Sequence, residues 1–270
     1  MKSKVIWSAQ LLLVVLCALA LKFYYSTATP DQLLWILAPT TLLVELLSGQ
    51  QFEFESYAGY MSSDHRFVIA VPCAGVNFLI TAFAMIGLRR LWRERFGPQI
   101  WYSLPVAAAI AYVATIVANA TRICLALELR ARSVEFDWLT NNQLHRLEGI
   151  VVYFGFLLLL FLLVERFESA KPLKLKRVLV FPVLIYYAIT LGVPLANGAY
   201  RQGSAFWEHS VFVLVLPLLL IVPLFLLSLI LRSNESPFRR VLSIPDNFAW
   251  RRWRTFGTPR RQCPESRPRC

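Results

Sequence analysis

The chain has 270 residues, of which 57% are hydrophobic and only 16% charged, with a mean hydropathy of +0.54. A soluble globule carries about 25% charged residues, so the composition excludes one. It points instead to an all-α polytopic membrane protein, a bundle of about seven transmembrane helices. The net charge is +12, from 28 Lys and Arg against 16 Asp and Glu. Most of the excess lies between apolar segments or after the last one, where basic residues of membrane proteins collect, and so argues against nucleic-acid binding.

Apolar runs fall at about 5–25, 33–48, 67–88, 100–125, 147–165, 178–196 and 210–231, each near the length that crosses a bilayer. The first follows Lys2 and Lys4 and contains Ala18-Leu19-Ala20, features of a signal peptide. It reads here as a retained first helix. The second run is short and holds Pro39 and Glu45, so it is either a span or a re-entrant segment; counting it gives seven spans. Between the second and third runs, residues 50–66 alternate aromatic and polar side chains around a glycine. That stretch reads as a small hairpin or an extended loop.

Three regions are strongly basic: 89–99, 165–177 and 232–270, the last with ten arginines. Placing all three in the cytoplasm gives a consistent zigzag for the last five runs and turns 49–66, 126–146 and 197–209 outward. The expected organisation is a transmembrane domain over 1–232 and a basic cytoplasmic tail over 233–270. Trp250-Arg251-Arg252-Trp253-Arg254 in the tail reads as an anchor to anionic lipid headgroups.

Ionisable groups inside or bordering a span are costly, so each raises a functional question. Cys73 lies in Val71-Pro72-Cys73-Ala74-Gly75-Val76-Asn77. A helix beginning at Pro72 puts Cys73 in the first turn, where unpaired N–H groups and the helix dipole favour a thiolate. Ala74 and Gly75 leave room for another backbone. Arg122 closes the fourth apolar run, about 32 Å along the helix from Trp101, and shares a face with Asn119 at i and i+3. Its plain alternative is a snorkelling arginine.

His145, followed by Arg146, stands just before the fifth run, with Gly149 four residues on to clear space beside the imidazole. Three segments therefore bring a sulfur, a guanidinium and an imidazole to one depth. Cys and His supply a nucleophile and a proton carrier, and Arg a fixed charge for an oxyanion. Cys124 competes with Cys73 and could pair with it; His65 and His209 compete with His145. The five cysteines show neither CxxC nor metal-type spacing, so neither a metal site nor another cofactor is expected.

In these motifs the chain resembles the exosortase/archaeosortase family of membrane cysteine transpeptidases. The likeness rests on Cys73-Ala74-Gly75, then Asn119-Ala120-Thr121-Arg122, then His145 with Gly149, in that order, and covers about residues 33–165. The family's first motif is usually Cys-Ser-Gly, and Ala74 replaces the serine. The wording Cys-Ala-Gly-Val-Asn-Phe is similar to the exosortase K subgroup. The resemblance implies a bacterial inner-membrane enzyme with Cys73, Arg122 and His145 as its catalytic set facing outward, and Gly75, Asn119, Arg146 and Gly149 in support. It implies substrates that are exported proteins ending in a short motif, a transmembrane helix and a basic cluster, cut at the motif and transferred to an acceptor.

Three other classes compete. A transporter or channel would line a polar path with Arg122, His145 and Glu45. A membrane glycosyl- or acyltransferase would want an Asp-x-Asp or similar pattern in the outward loops, which they lack. A thiol–disulfide enzyme would have to use Cys73 with Cys124.

Overall fold

The computed structural model describes residues 2–93, 100–132, 140–168 and 175–233; the tail and its Trp250–Arg254 cluster lie outside them. The chain divides into two compact units, Met1–Phe225 and Leu226–Cys270, and the sheet and the candidate site described below belong to the first. The helices of the chain are α1 (Lys2–Thr27), α2 (Leu34–Ser48), α3 (Val76–Arg93), α4 (Ile100–Ala131), α5 (Asn141–Glu168), α6 (Leu175–Tyr187), α7 (Val193–Ala196) and α8 (Ser204–Ser233). A π turn, Ala188–Gly192, joins α6 to α7. Seven helical segments among the described residues are long and apolar enough to cross a membrane, the number expected. The chain is a multi-pass membrane protein.

The segment before α3 forms a three-stranded antiparallel sheet: β1 (Phe52–Glu55), β2 (Gly59–Ser62) and β3 (Val68–Ile69), in that order. The expected hairpin is β1–β2, with Glu55 opposite Gly59 and Phe54 opposite Tyr60. Gly59 is required there. Its φ is +110°, and a Cβ would lie 2.5 Å from the Ile69 carbonyl oxygen. Glu45, near the end of α2, accepts the Phe52 N–H at 2.8 Å and so ties the helix to the sheet. At the β2–β3 turn, Asp64 accepts from the Ser62 hydroxyl at 2.6 Å and from the Arg66 N–H at 3.1 Å. These bonds, the Ser62 one foremost, hold its carboxyl below the ordinary carboxylate range.

Helix α3 is the centre of the bundle and touches α1, α4, α5 and α6. Its middle, Phe78–Gly87, is buried throughout, as expected of a helix apolar on all sides. Small residues let neighbours approach: Ala82 and Gly87 on α3, Ala107, Ala111 and Ala118 on α4. At the C-terminal end of α3 the charges are paired rather than solvated. Arg89 contacts Glu165 of α5, with both side chains buried, while Arg90 and Arg93 share Glu168 at 2.6 and 3.2 Å.

Three boundaries differ from the sequence reading, and each moves a site residue. Helix α3 starts at Val76, because Val71–Cys73 forms a separate 3-10 turn and Gly75 adopts φ +71°. Pro72 is therefore the opening proline of the short turn, not of the helix. Helix α4 runs on to Ala131, so Arg122 is more than two turns from its end. Helix α5 starts at Asn141, on a capping box: the Thr140 N–H donates to Gln143 Oε1 at 3.0 Å, and the Gln143 N–H to Thr140 Oγ1 at 3.3 Å. His145 lies inside that helix rather than ahead of it.

Candidate active site

Three elements meet at the end of the bundle opposite the Arg89–Glu165 pair: the turn that carries Cys73, the later part of α4, and the start of α5. The Cys73 turn is held locally by its own N–H bonding to the Ala70 carbonyl at 2.8 Å. From α1, the Tyr25 hydroxyl donates to the Val71 carbonyl at 3.3 Å. The turn ends at Gly75, where a side chain would meet Asn119 at 3.1 Å and Thr115 at 3.2 Å. The room expected beside Cys73 for another backbone is taken instead by side chains of α4, Asn119 and Thr115. The thiol of Cys73 is half-buried and unbridged, and so is that of Cys124.

Asn119 is fully buried on α4. Its amide N–H₂ donates to the Cys73 carbonyl, and its own oxygen accepts the Tyr153 hydroxyl at 2.7 Å. Tyr153 in turn accepts from Arg122 Nη1 at 3.5 Å and places its ring under the guanidinium, 5.5 Å away. Arg122 reaches His145 directly, Nη2 to Nε2. A continuous chain of contacts thus runs from Cys73 through Asn119, Tyr153 and Arg122 to His145. Arg122 is also close enough to Cys73 for the two to interact electrostatically.

Arg122 is 8% exposed, so it faces the protein interior and does not snorkel. Gly149 has a different purpose from the one its spacing to His145 suggested. The space it leaves is filled by Arg122, whose Nε would lie 3.2 Å from an added Cβ. Arg146 departs from the group: it points to Glu208 at the start of α8, 4.0 Å away. Asn119, Gly75 and Gly149 belong to the site; Arg146 stands beside it. The competing histidines are occupied elsewhere. His65 sits at the β2–β3 turn against Met61 Sδ, at 2.8 Å, and His209 lies on α8 within electrostatic range of Arg146. Glu45, which a transport path would use, caps the β1 end of the sheet.

Two members of the network were not singled out from the sequence, Tyr153 and Glu148. Tyr153 was legible: His145, Gly149 and Tyr153 are spaced i, i+4, i+8 and so share one face of α5. Glu148 is 5% exposed, with Oε2 3.8 Å from His145 Nδ1, and it interacts electrostatically with Arg122. A third group, Lys22 of α1, donates to Asn77 at 2.8 Å in the first turn of α3. Among the described residues no three His, Cys, Asp or Glu side chains are grouped so as to hold a metal ion.

The cluster combines a half-buried thiol, an imidazole open to solvent on one side, and a buried guanidinium between them. That is the inventory for nucleophilic attack with proton transfer and anion stabilisation. Comparison with protein-family models, with curated proteins and with solved structures finds no match.

Proposed function

We propose that the chain is a membrane-embedded cysteine protease or transpeptidase. On this reading it cleaves the C-terminal sorting signal of exported proteins at the outer face of the membrane and transfers them to an acceptor. The observation that carries the reading is the meeting of Arg122 and His145 beside the Cys73 turn. The order of the motifs and their likeness to the exosortase pattern support it.

Arginine has donors only, so Arg122 Nη2 donates a hydrogen bond to His145 Nε2, and that nitrogen is unprotonated. A substrate carbonyl oxygen entering the site competes for the Arg122 N–H groups and frees Nε2. His145 then takes the Cys73 proton as the sulfur attacks the carbonyl carbon. Negative charge collects on the former carbonyl oxygen beside Arg122. As the C–N bond breaks, the proton on His145 passes to the leaving nitrogen, leaving a thioester on Cys73. An acceptor amine or water attacks the thioester and restores the thiol.

The test is processing of a co-expressed, tagged exported protein that ends in a short motif, an apolar helix and a basic cluster. Cys73→Ala abolishes processing, and His145→Ala lowers it by about 10²- to 10⁴-fold, the usual contribution of general acid–base catalysis. Near wild-type processing by the Cys73 variant contradicts the reading.

A further inference from the structure

We propose that Glu148 is the positioning residue for His145: it holds the Nδ1 proton and so keeps the Nε2 lone pair turned toward Arg122 and Cys73. The inference rests on the reading of His145 as the proton carrier. Its starting point is a buried carboxylate that the steps above do not use. Glu148 is almost fully enclosed, and its Oε1 has no hydrogen-bond partner among the described residues. A side chain with that cost of burial faces the His145 imidazole and lies within electrostatic range of the Arg122 guanidinium.

The chemistry of the imidazole then assigns the tautomer. Arg122 donates to Nε2, so the proton of a neutral ring is on Nδ1, the nitrogen that faces Glu148 Oε2. At 3.8 Å this is an electrostatic contact, longer than a hydrogen bond, and contacts of this kind tighten when charge develops during reaction. When His145 accepts the Cys73 proton at Nε2, the imidazolium lies against a carboxylate inside the bundle. The new positive charge would otherwise face Arg122 alone. The arrangement also has a local origin: His145 and Glu148 are one turn apart on α5, and residues at i and i+3 are neighbours.

The test is the ¹⁵N spectrum of the histidine rings in the full-length protein, in detergent at neutral pH. The chain has 3 histidines, and His145→Gln assigns the signal of interest. The expected result is an Nδ1–H ring for His145, the reverse of the Nε2–H form that imidazole side chains favour in water. Arg122→Gln keeps the Nδ1–H form, because Glu148 still holds the proton; Arg122→Gln with Glu148→Met loses it. Unchanged signals from His65 and His209 report that each variant is folded. An Nε2–H ring in the wild type, or its appearance in Arg122→Gln alone, overturns the proposal, and neither arm depends on the double variant folding. The measurement needs no turnover. Its failure is therefore distinct from a failure of Cys73 as the nucleophile, which the processing assay reports.

Discussion

Arg122 and His145, 23 positions apart, meet guanidinium to imidazole across the α4–α5 interface. The contact requires α5 to begin ahead of its apolar segment, at Asn141, so that His145 is carried on the helix. It also requires a residue without a side chain at Gly149, where the guanidinium passes. Both residues are then tied to the Cys73 turn through Tyr153 and Asn119, so a change at any member is felt along the chain.

Gly149→Ala separates activity from stability. The added methyl lies 3.2 Å from Arg122 Nε, the flexible end of a long side chain, while alanine in a helix is favoured over glycine by about 1 kcal/mol. Thermal unfolding is expected within a few degrees of wild type, and substrate processing is expected to fall as Arg122 shifts from His145. A large loss of stability with normal processing would contradict this placement.

Gly75→Ala acts on both. The residue sits at φ +71°, and its Cβ would press on Asn119 and Thr115, both buried in α4. Left-handed backbone in a non-glycine residue costs about 1–3 kcal/mol. A lower unfolding temperature together with slower Cys73 alkylation is expected, because the turn that presents the thiol has to move.

Tyr153→Phe removes one hydroxyl and leaves Asn119 Oδ1 without its donor. An unpaired buried acceptor costs about 1–3 kcal/mol. The stacking of ring 153 on Phe78, at 5.3 Å between centroids, is retained. The expected phenotype is a folded protein of modestly reduced stability, with a kcat defect larger than any change in KM. A defect confined to KM would show that Tyr153 contacts substrate rather than the catalytic chain.

At the other end of the bundle, Arg89→Met leaves Glu165 buried without its partner. Breaking such a pair costs about 3–5 kcal/mol, whereas replacing both members by apolar residues is often neutral. Arg89→Met is therefore expected to unfold at a markedly lower temperature than wild type, and Arg89→Met with Glu165→Leu to recover most of the loss. Additive losses in the double variant would show that the two residues do not pair.

The β2–β3 turn carries a pH dependence of known sign. The folded-state pKa of Asp64 is depressed, first by the Ser62 hydroxyl and then by the Arg66 N–H. Its contribution is therefore present above the unfolded value and lost as the pH falls below about 4. Amide exchange at Arg66 is expected to lose protection over that range, and Asp64→Asn to show the same loss at neutral pH. Protection that survives both changes would contradict the assignment.

The spans were legible because bilayer thickness leaves few solutions for a run of apolar residues, and the grouping of Cys73, Arg122 and His145 followed from their alternation along the zigzag. What escaped was local. Pro72 signals a helix start whether the helix is α or a single 3-10 turn, so the sequence put Cys73 inside α3 when it stands before it. The polar residues Glu128 and Arg130 concealed the last turns of α4. The start of α5 was marked by Thr140-Asn141-Asn142-Gln143, a capping-box pattern outside the apolar periodicity that defined the segment. Glu148 carried no signal of burial, since a carboxylate beside Arg146 reads equally well as solvated.

The central claim is that Cys73 is a nucleophile governed by Arg122 and His145. It is tested most directly by the rate at which iodoacetamide alkylates Cys73 in the full-length protein, resolved by peptide mass spectrometry with Cys17 and Cys124 as internal references. The account predicts that Cys73 reacts fastest of the three at neutral pH, and that His145→Ala and Arg122→Ala each slow it while leaving the references unchanged. A Cys73 no more reactive than Cys124, or one indifferent to both substitutions, would contradict it.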